Sequence, residues 1–103
     1  MELPAGFDAV LHPPARLQIA AVLAQVDDAE FARLREIVGV SDSVLSKHLA
    51  ALVEAGHIKL RKAAADGRQR TWASLTRSGR RAFAAHVAAL EALVATAAAM
   101  DNA

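Results

Sequence analysis

Residues 39–75 read GVSDSVLSKHLAALVEAGHIKLRKAAADGRQRTWASL, and the succession of patterns within them decides the fold. Gly39, Val40 and Ser41 make a short turn, with Ser41 a helix-capping residue and Val40 placed to staple against Leu45. Leu45, Leu49, Leu52 and Val53 then recur at i, i+4, i+7 and i+8, the buried stripe of a helix that Gly56 closes. That stripe leaves Asp42, Ser43, Ser46 and Lys47 on the exposed side, near the amino-terminal end. Ile58 and Leu60 alternate with Lys59 and Arg61, and Thr71, Ala73 and Leu75 alternate with Trp72 and Ser74, the period-two signature of half-buried strands. Between them, residues 63–70 are expected as a loop turning at Asp66-Gly67, a strong hairpin pair. A helix suits the major groove of a duplex, and a flexible cationic tip suits the phosphates beside it.

Outward from this segment the chain reads as helices. Residues 30–38 place Phe31, Leu34, Ile37 and Val38 on one face, with Gly39 as the stop. Residues 16–26, opened by Pro13 and Pro14, carry Leu17, Ile19, Val22, Leu23 and Val26 on more than one side, which predicts burial on most faces. Asp27 and Asp28 interrupt that pattern, and residues 1–12 are a lead-in with one helical turn around residues 7–11. Thr76 caps a last helix reaching residue 99, in which Phe83, Val87, Leu90, Val94 and Ala97 step by four, three, four and three. His86, Ala89 and Leu93 border this heptad-like seam. So small a domain has too little core to cover the seam, so it is expected to pack against a second subunit, the first helix contributing; the alternative is that it folds back over its own domain. The fold class is therefore mainly α with a small β-hairpin wing, one domain over residues 1–103. Residues 13–75 form the helix-turn-helix and wing, and residues 76–99 the closing, dimerising helix.

Composition bounds the function. The hydrophobic fraction is 54%, much of it alanine, with three Phe and one Trp, which favours helices around a small core. There is no cysteine, which excludes disulfides and thiolate metal sites. No run of about twenty apolar residues is read as a membrane span, and no charged start with an apolar stretch marks a signal peptide. The expected compartment is the cytoplasm. Net charge is only +1, but residues 59–81 hold eight Lys and Arg against Asp66 alone. Such concentration of cation on a nearly neutral chain is the footprint of a polyanion site. His12, His48, His57 and His86 stand at no ligand spacing, so each is expected at the surface, in a cap or at a phosphate, and no metal or cofactor is expected. No nucleophile motif, phosphate-cradling loop or paired acids point to an enzyme.

Three strings carry a family resemblance. HPPARLQIAAVL, SDSVLSKHLAALVEAGHI and LTRSGRRAF occur in that order within residues 13–83, about two thirds of the chain apart from His12. The first is similar to the proline-arginine-leucine opening of the small winged-helix regulators of the MarR and ArsR type. The second resembles their recognition helix with its following glycine, and the third their leucine-threonine-x-x-glycine lead into the closing helix. The likeness is specific for the fold and for DNA binding, not for an operator or a ligand.

The resemblance implies a dimeric, sequence-specific regulator of double-stranded DNA, a repressor at a palindromic operator, with its third helix in the major groove and its wing on the minor groove or backbone. It implies base-reading or groove-facing positions at Ser43, Val44, Ser46 and Lys47, and a phosphate contact at His48. In the wing it implies Arg68, Gln69 and Arg70, with Lys62 a further phosphate candidate; narrow A·T minor grooves attract inserted arginine. Val44 could touch a thymine methyl or lie partly buried. Asp42 either favours the positive end of its helix or accepts from cytosine N4. Trp72 is expected to pack at the outer face of the hairpin. Phe83, Val87, Leu90 and Val94 are the expected dimerisation residues, and a small molecule near the junction of dimer helices and DNA-binding lobe is a possible effector. The alternative function is a protein-docking winged helix without DNA.

Overall fold

The computed structural model describes residues 2–101, so the outermost residues of the expected domain, Met1, Asn102 and Ala103, lie outside it. Its elements run α1 (Pro14–Leu23), β1 (Ala29–Glu30), α2 (Phe31–Val38), α3 (Asp42–Glu54), β2 (Ile58–Ala65), β3 (Arg68–Leu75) and α4 (Arg77–Asp101). The sheet is antiparallel in the order β1-β3-β2. The core gathers Ile19, Ala20 and Leu23 of α1, Leu34 of α2, Leu45, Leu49 and Leu52 of α3, and Ala29, Ile58, Ala73 and Leu75 of the sheet. Leu11, from the lead-in, is fully buried among them.

Local chemistry explains the boundaries. The Ser41 hydroxyl accepts from the Val44 N–H at 3.2 Å and so caps α3. At the other end the Gly56 N–H donates to Val53 and the His57 N–H to Leu52, each at 2.9 Å, a Schellman closure. Thr76 caps α4 through the Gly79 N–H at 2.9 Å, while its own hydroxyl donates back to the Gly56 carbonyl at 2.6 Å. Gly79 is fixed by space: a Cβ there would collide with the His57 carbonyl. The leucine-threonine-x-x-glycine string therefore locks the start of α4 onto the end of α3.

Several expectations are corrected. α1 ends at Leu23 rather than Val26, and Val26 is exposed because it lies beyond the helix. Val53 and Leu60 are exposed too; only the three leucines of α3 and Ile58 of β2 reach the core. Residues 63–70 are not a loop. The strands pair as far as Ala65↔Arg68, and only Asp66 (φ 53°) and Gly67 (φ 73°) turn between them. Two successive positive φ values match the right-handed strand twist, so this tight turn keeps the ladder intact to the tip. β1 is a third strand not expected at all, pairing Ala29↔Ala73 and Glu30↔Trp72.

The lead-in and α4 differ most. Residues 4–11 make two hydrogen-bonded turns, not a helical turn, and strap α4 to the body of the domain. His86 of α4 is fully buried there, and its Nδ1 accepts from the Asp8 N–H at 2.9 Å. The Asp8 carboxylate meets His57 Nε2 at 2.9 Å, and the rings of Phe7, His12 and His86 pack edge to face or tilted. So three of the four histidines gather, and His86 is no surface residue. Contrary to the absence of a span expected above, Arg77–Met100 is long and apolar enough by length and composition to cross a membrane. That apolarity is alanine's, ten residues of it. Ala82 and Phe83 pack on the core, whereas the side chains of residues 91–100 are almost all exposed, and the molecule is drawn out to 62 × 26 × 21 Å.

Candidate nucleic-acid interface

The leucine stripe of α3 faces inward, so helical geometry turns Ser43, Val44, Ser46 and Lys47 outward, and all four are exposed. Val44 is 40% exposed, so part of its side chain is open to the outside of the helix. His48 is half-buried on the flank of the helix. Asp42 meets Arg35 of α2 at 2.7 Å. Its carboxylate thus lies in the first turn of α3, where the helix dipole favours it, and is engaged by a cation from its neighbour. The hydrogen bond and charge of Asp42 in turn raise the Arg35 pKa.

Sheet register sorts the wing by face. Lys62 pairs with Thr71 and Ala64 with Gln69, in the same alternation as Leu60↔Ala73 and Ile58↔Leu75, so Lys62 and Gln69 share the face that packs on α3. A groove between that face and α3 is lined by Ser46, Ala50, Leu60, Lys62 and Thr71. Arg68, Arg70 and Trp72 project from the opposite face together with Arg61 and Lys59. The fold thereby brings the polar end of α3, Lys62 and Gln69 to one side, with Arg68 exposed at the tip.

The basic cluster divides into committed and uncommitted cations. Arg61 donates to Asp28 at 2.9 Å and lies 5.8 Å from the Trp72 ring centroid, so the tryptophan packs under a cation. Arg80 donates to the Ala24 carbonyl at 3.0 Å, tying α4 to the end of α1. Arg70 departs furthest from expectation: its Nη1 donates to both oxygens of Glu30, at 3.1 and 3.0 Å, and Nη2 lies 3.8 Å from Asp66. Its charge faces acids of its own domain rather than a groove. Among the described residues Lys47, Lys59, Lys62, Arg68, Arg77 and Arg81 make no ion pair. No signal within the sequence separates the two sets, because Glu30 lies 40 residues from Arg70 and Asp28 lies 33 from Arg61.

Of the seam residues, Phe83 is partly buried against the domain's own core, Val87 and Leu90 are half-buried, and Val94 is 68% exposed. Leu90, Val94, Ala95 and Ala98 line a shallow apolar depression along the distal half of α4. Among the described residues no group of three or more His, Cys, Asp or Glu could hold a metal ion.

This geometry has close counterparts. A family model described as a winged helix DNA-binding domain matches residues 15–94. An uncharacterised protein of Methanocaldococcus jannaschii is 32% identical over 74 residues, covering 72% of this chain and 80% of that protein. A solved transcriptional regulator homologue from Pyrococcus horikoshii OT3 superposes with a TM-score of 0.79 at 26% identity, over 84% of this chain and 86% of that one. The transcriptional repressor BigR from Xylella fastidiosa shares the fold, with a TM-score of 0.62 at 22% identity over 74% of this chain and 71% of its own.

Proposed function

Because the chain belongs to the winged helix DNA-binding domain family, we propose that it acts as a dimeric transcriptional repressor that reads a palindromic duplex site through α3. Membership decides between duplex binding and a protein-docking module in favour of the former. The observation that carries the rest is the shared exposure of Ser43, Val44, Ser46 and Lys47 on the side where Lys62 and Gln69 flank α3. Short hydroxyls and a valine methyl meet base edges, while Lys47 and Lys62 reach phosphates or guanine. Arg68 at the tip extends the contact to the backbone or minor groove of the same duplex.

The dimer is supported by the length of α4. A helix of 25 residues is about 37 Å long, and only its first half has a domain to pack on. A second copy covering Leu90, Val94, Ala95 and Ala98 would bury the remainder and give the molecule two reading helices. On B-DNA those helices meet successive major grooves roughly 34–36 Å apart, which dictates a two-fold site. Occupying a promoter would block it, and BigR, which shares the fold, is a transcriptional repressor. Selecting bound fragments from random duplex pools tests the reading. Enrichment of an inverted repeat is expected; no enriched motif even at low salt would overturn it.

A further inference from the structure

We propose that Glu30 is a positioning residue for the wing: it holds the Arg70 guanidinium against the body of the domain, so that the wing meets DNA through Arg68 and not through Arg70. The inference rests on the reading that the wing lies on the duplex. Glu30 is the second residue of β1, opposite Trp72, and directly precedes α2. Arg70 stands two residues from Trp72 on the same face of β3, the diagonal position from which a long side chain reaches across strands.

Charge and geometry both favour restraint over DNA contact. One nitrogen of Arg70 donates to both carboxylate oxygens of Glu30 while the other approaches Asp66, so one cation lies between two anions. Little of its field is left for a phosphate. Both side chains of the Arg70–Glu30 pair are mostly covered, at 30% and 23% exposure, which shields the pair from salt. Arg68, on the same face but nearer the tip, has no ion-pair partner among the described residues.

The clamp also has a counterpart. At the other end of α2, Arg35 bonds Asp42, the first residue of α3. The eight residues of α2 span about 12 Å, so one short rigid element carries an ion pair to the wing at one end and to the reading helix at the other. Freeing Arg70 would add a mobile cation that any duplex can attract, raising sequence-independent binding at the expense of discrimination.

The test is a salt series of binding to a random-sequence duplex, read by fluorescence anisotropy, for the full chain and its variants. Arg68→Ala is expected to reduce the slope of log affinity against log salt by about 0.9 per wing. Arg70→Ala should leave the slope unchanged. Glu30→Gln should steepen it by about 0.9 per wing, and the double variant E30Q/R70A should return it to the starting value. Glu30→Asp, which keeps the charge, should resemble the parent, and thermal melts establish that each variant is folded. Arg70→Ala reducing the slope as Arg68→Ala does would overturn the proposal, as would an unaltered slope for Glu30→Gln. An Arg68→Ala variant with the parent's slope would remove the wing from the duplex and overturn that underlying reading as well.

Discussion

Gly79 lies face to face with the peptide of His57, whose carbonyl occupies the space a Cβ would need. The same carbonyl accepts from the Thr76 N–H at 3.0 Å and the Thr76 hydroxyl at 3.2 Å. The end of α3, the start of β2 and the first turn of α4 thus converge on one peptide group. Gly79→Ala forces backbone apart, and overpacking of this kind typically costs about 1–3 kcal/mol. The urea midpoint should fall with little change in the denaturant slope. An unchanged midpoint would mean that α4 can lift off His57 without penalty.

The strap predicts sensitivity to acid. Burial pushes the His86 imidazole below its ordinary value, His12 adding to the effect and Asp8 opposing it. For Asp8 burial pushes upward, but hydrogen bonds from the Val10 N–H, His57 and the Leu11 N–H, with the charge of His57, outweigh it and hold the carboxyl low. In both cases the unfolded chain takes up its proton at higher pH than the folded one, so stability falls as pH falls. The His86 contribution is lost from about pH 6.5 downward and that of Asp8 from about pH 4 downward. Denaturation midpoints measured across this range should decline in two stages. His86→Gln, which does not titrate, should flatten the upper stage, and a midpoint rising on acidification would contradict the assignment.

Val94→Asp separates the proposed dimer from the fold. The side chain is 68% exposed on its own subunit, so an aspartate there leaves the isolated domain intact. Between two α4 helices it would be an unpaired buried charge, a penalty on the order of 3–5 kcal/mol. Sedimentation equilibrium should show monomer at concentrations where the parent is dimeric, with an unchanged circular dichroism spectrum. A persistent dimer would place the interface elsewhere.

Substitutions on the two sides of the groove should behave differently. Ser43→Ala and Ser46→Ala are expected to weaken discrimination at individual base pairs by about 1–3 kcal/mol where they bond a base edge. Lys62→Ala should weaken binding to every duplex alike and reduce the salt slope by about 0.9 for each phosphate the lysine neutralises. Competition with singly mutated duplexes distinguishes the two classes. Uniform losses for the serines would confine them to the sugar-phosphate backbone.

What the sequence made legible was what short-range chemistry writes. The Ser41 cap, the Leu45, Leu49 and Leu52 stripe, the stops at Gly39 and Gly56 and the Asp66-Gly67 turn all act within a few residues, and each is found where the pattern puts it. Val53 escaped because 3.6 residues per turn carry it about 80° from Leu45, past the edge of the buried face. Residues 63–65 are three alanines, which give no alternation; their strand is made by backbone pairing from a tight turn. β1 is two residues long, too short for any period. For the candidate site, the outward face of α3 follows from its inward one, but which arginines remain available depends on acids distant along the chain. His86 was opaque for the same reason, its partner Asp8 lying 78 residues away.

The unbroken hairpin carries a last consequence for the length of site the protein will accept. Strands of eight residues closed by two turn residues reach about 26 Å as a stiff prong without slack in a loop. If the site is two-fold as proposed, a duplex with one base pair inserted between its half-sites would therefore not be accommodated by stretching the tip. In the proposed dimer, the tolerance would have to come from rotation of one α4 against the other, which would make half-site spacing a ruler for the angle between the two copies.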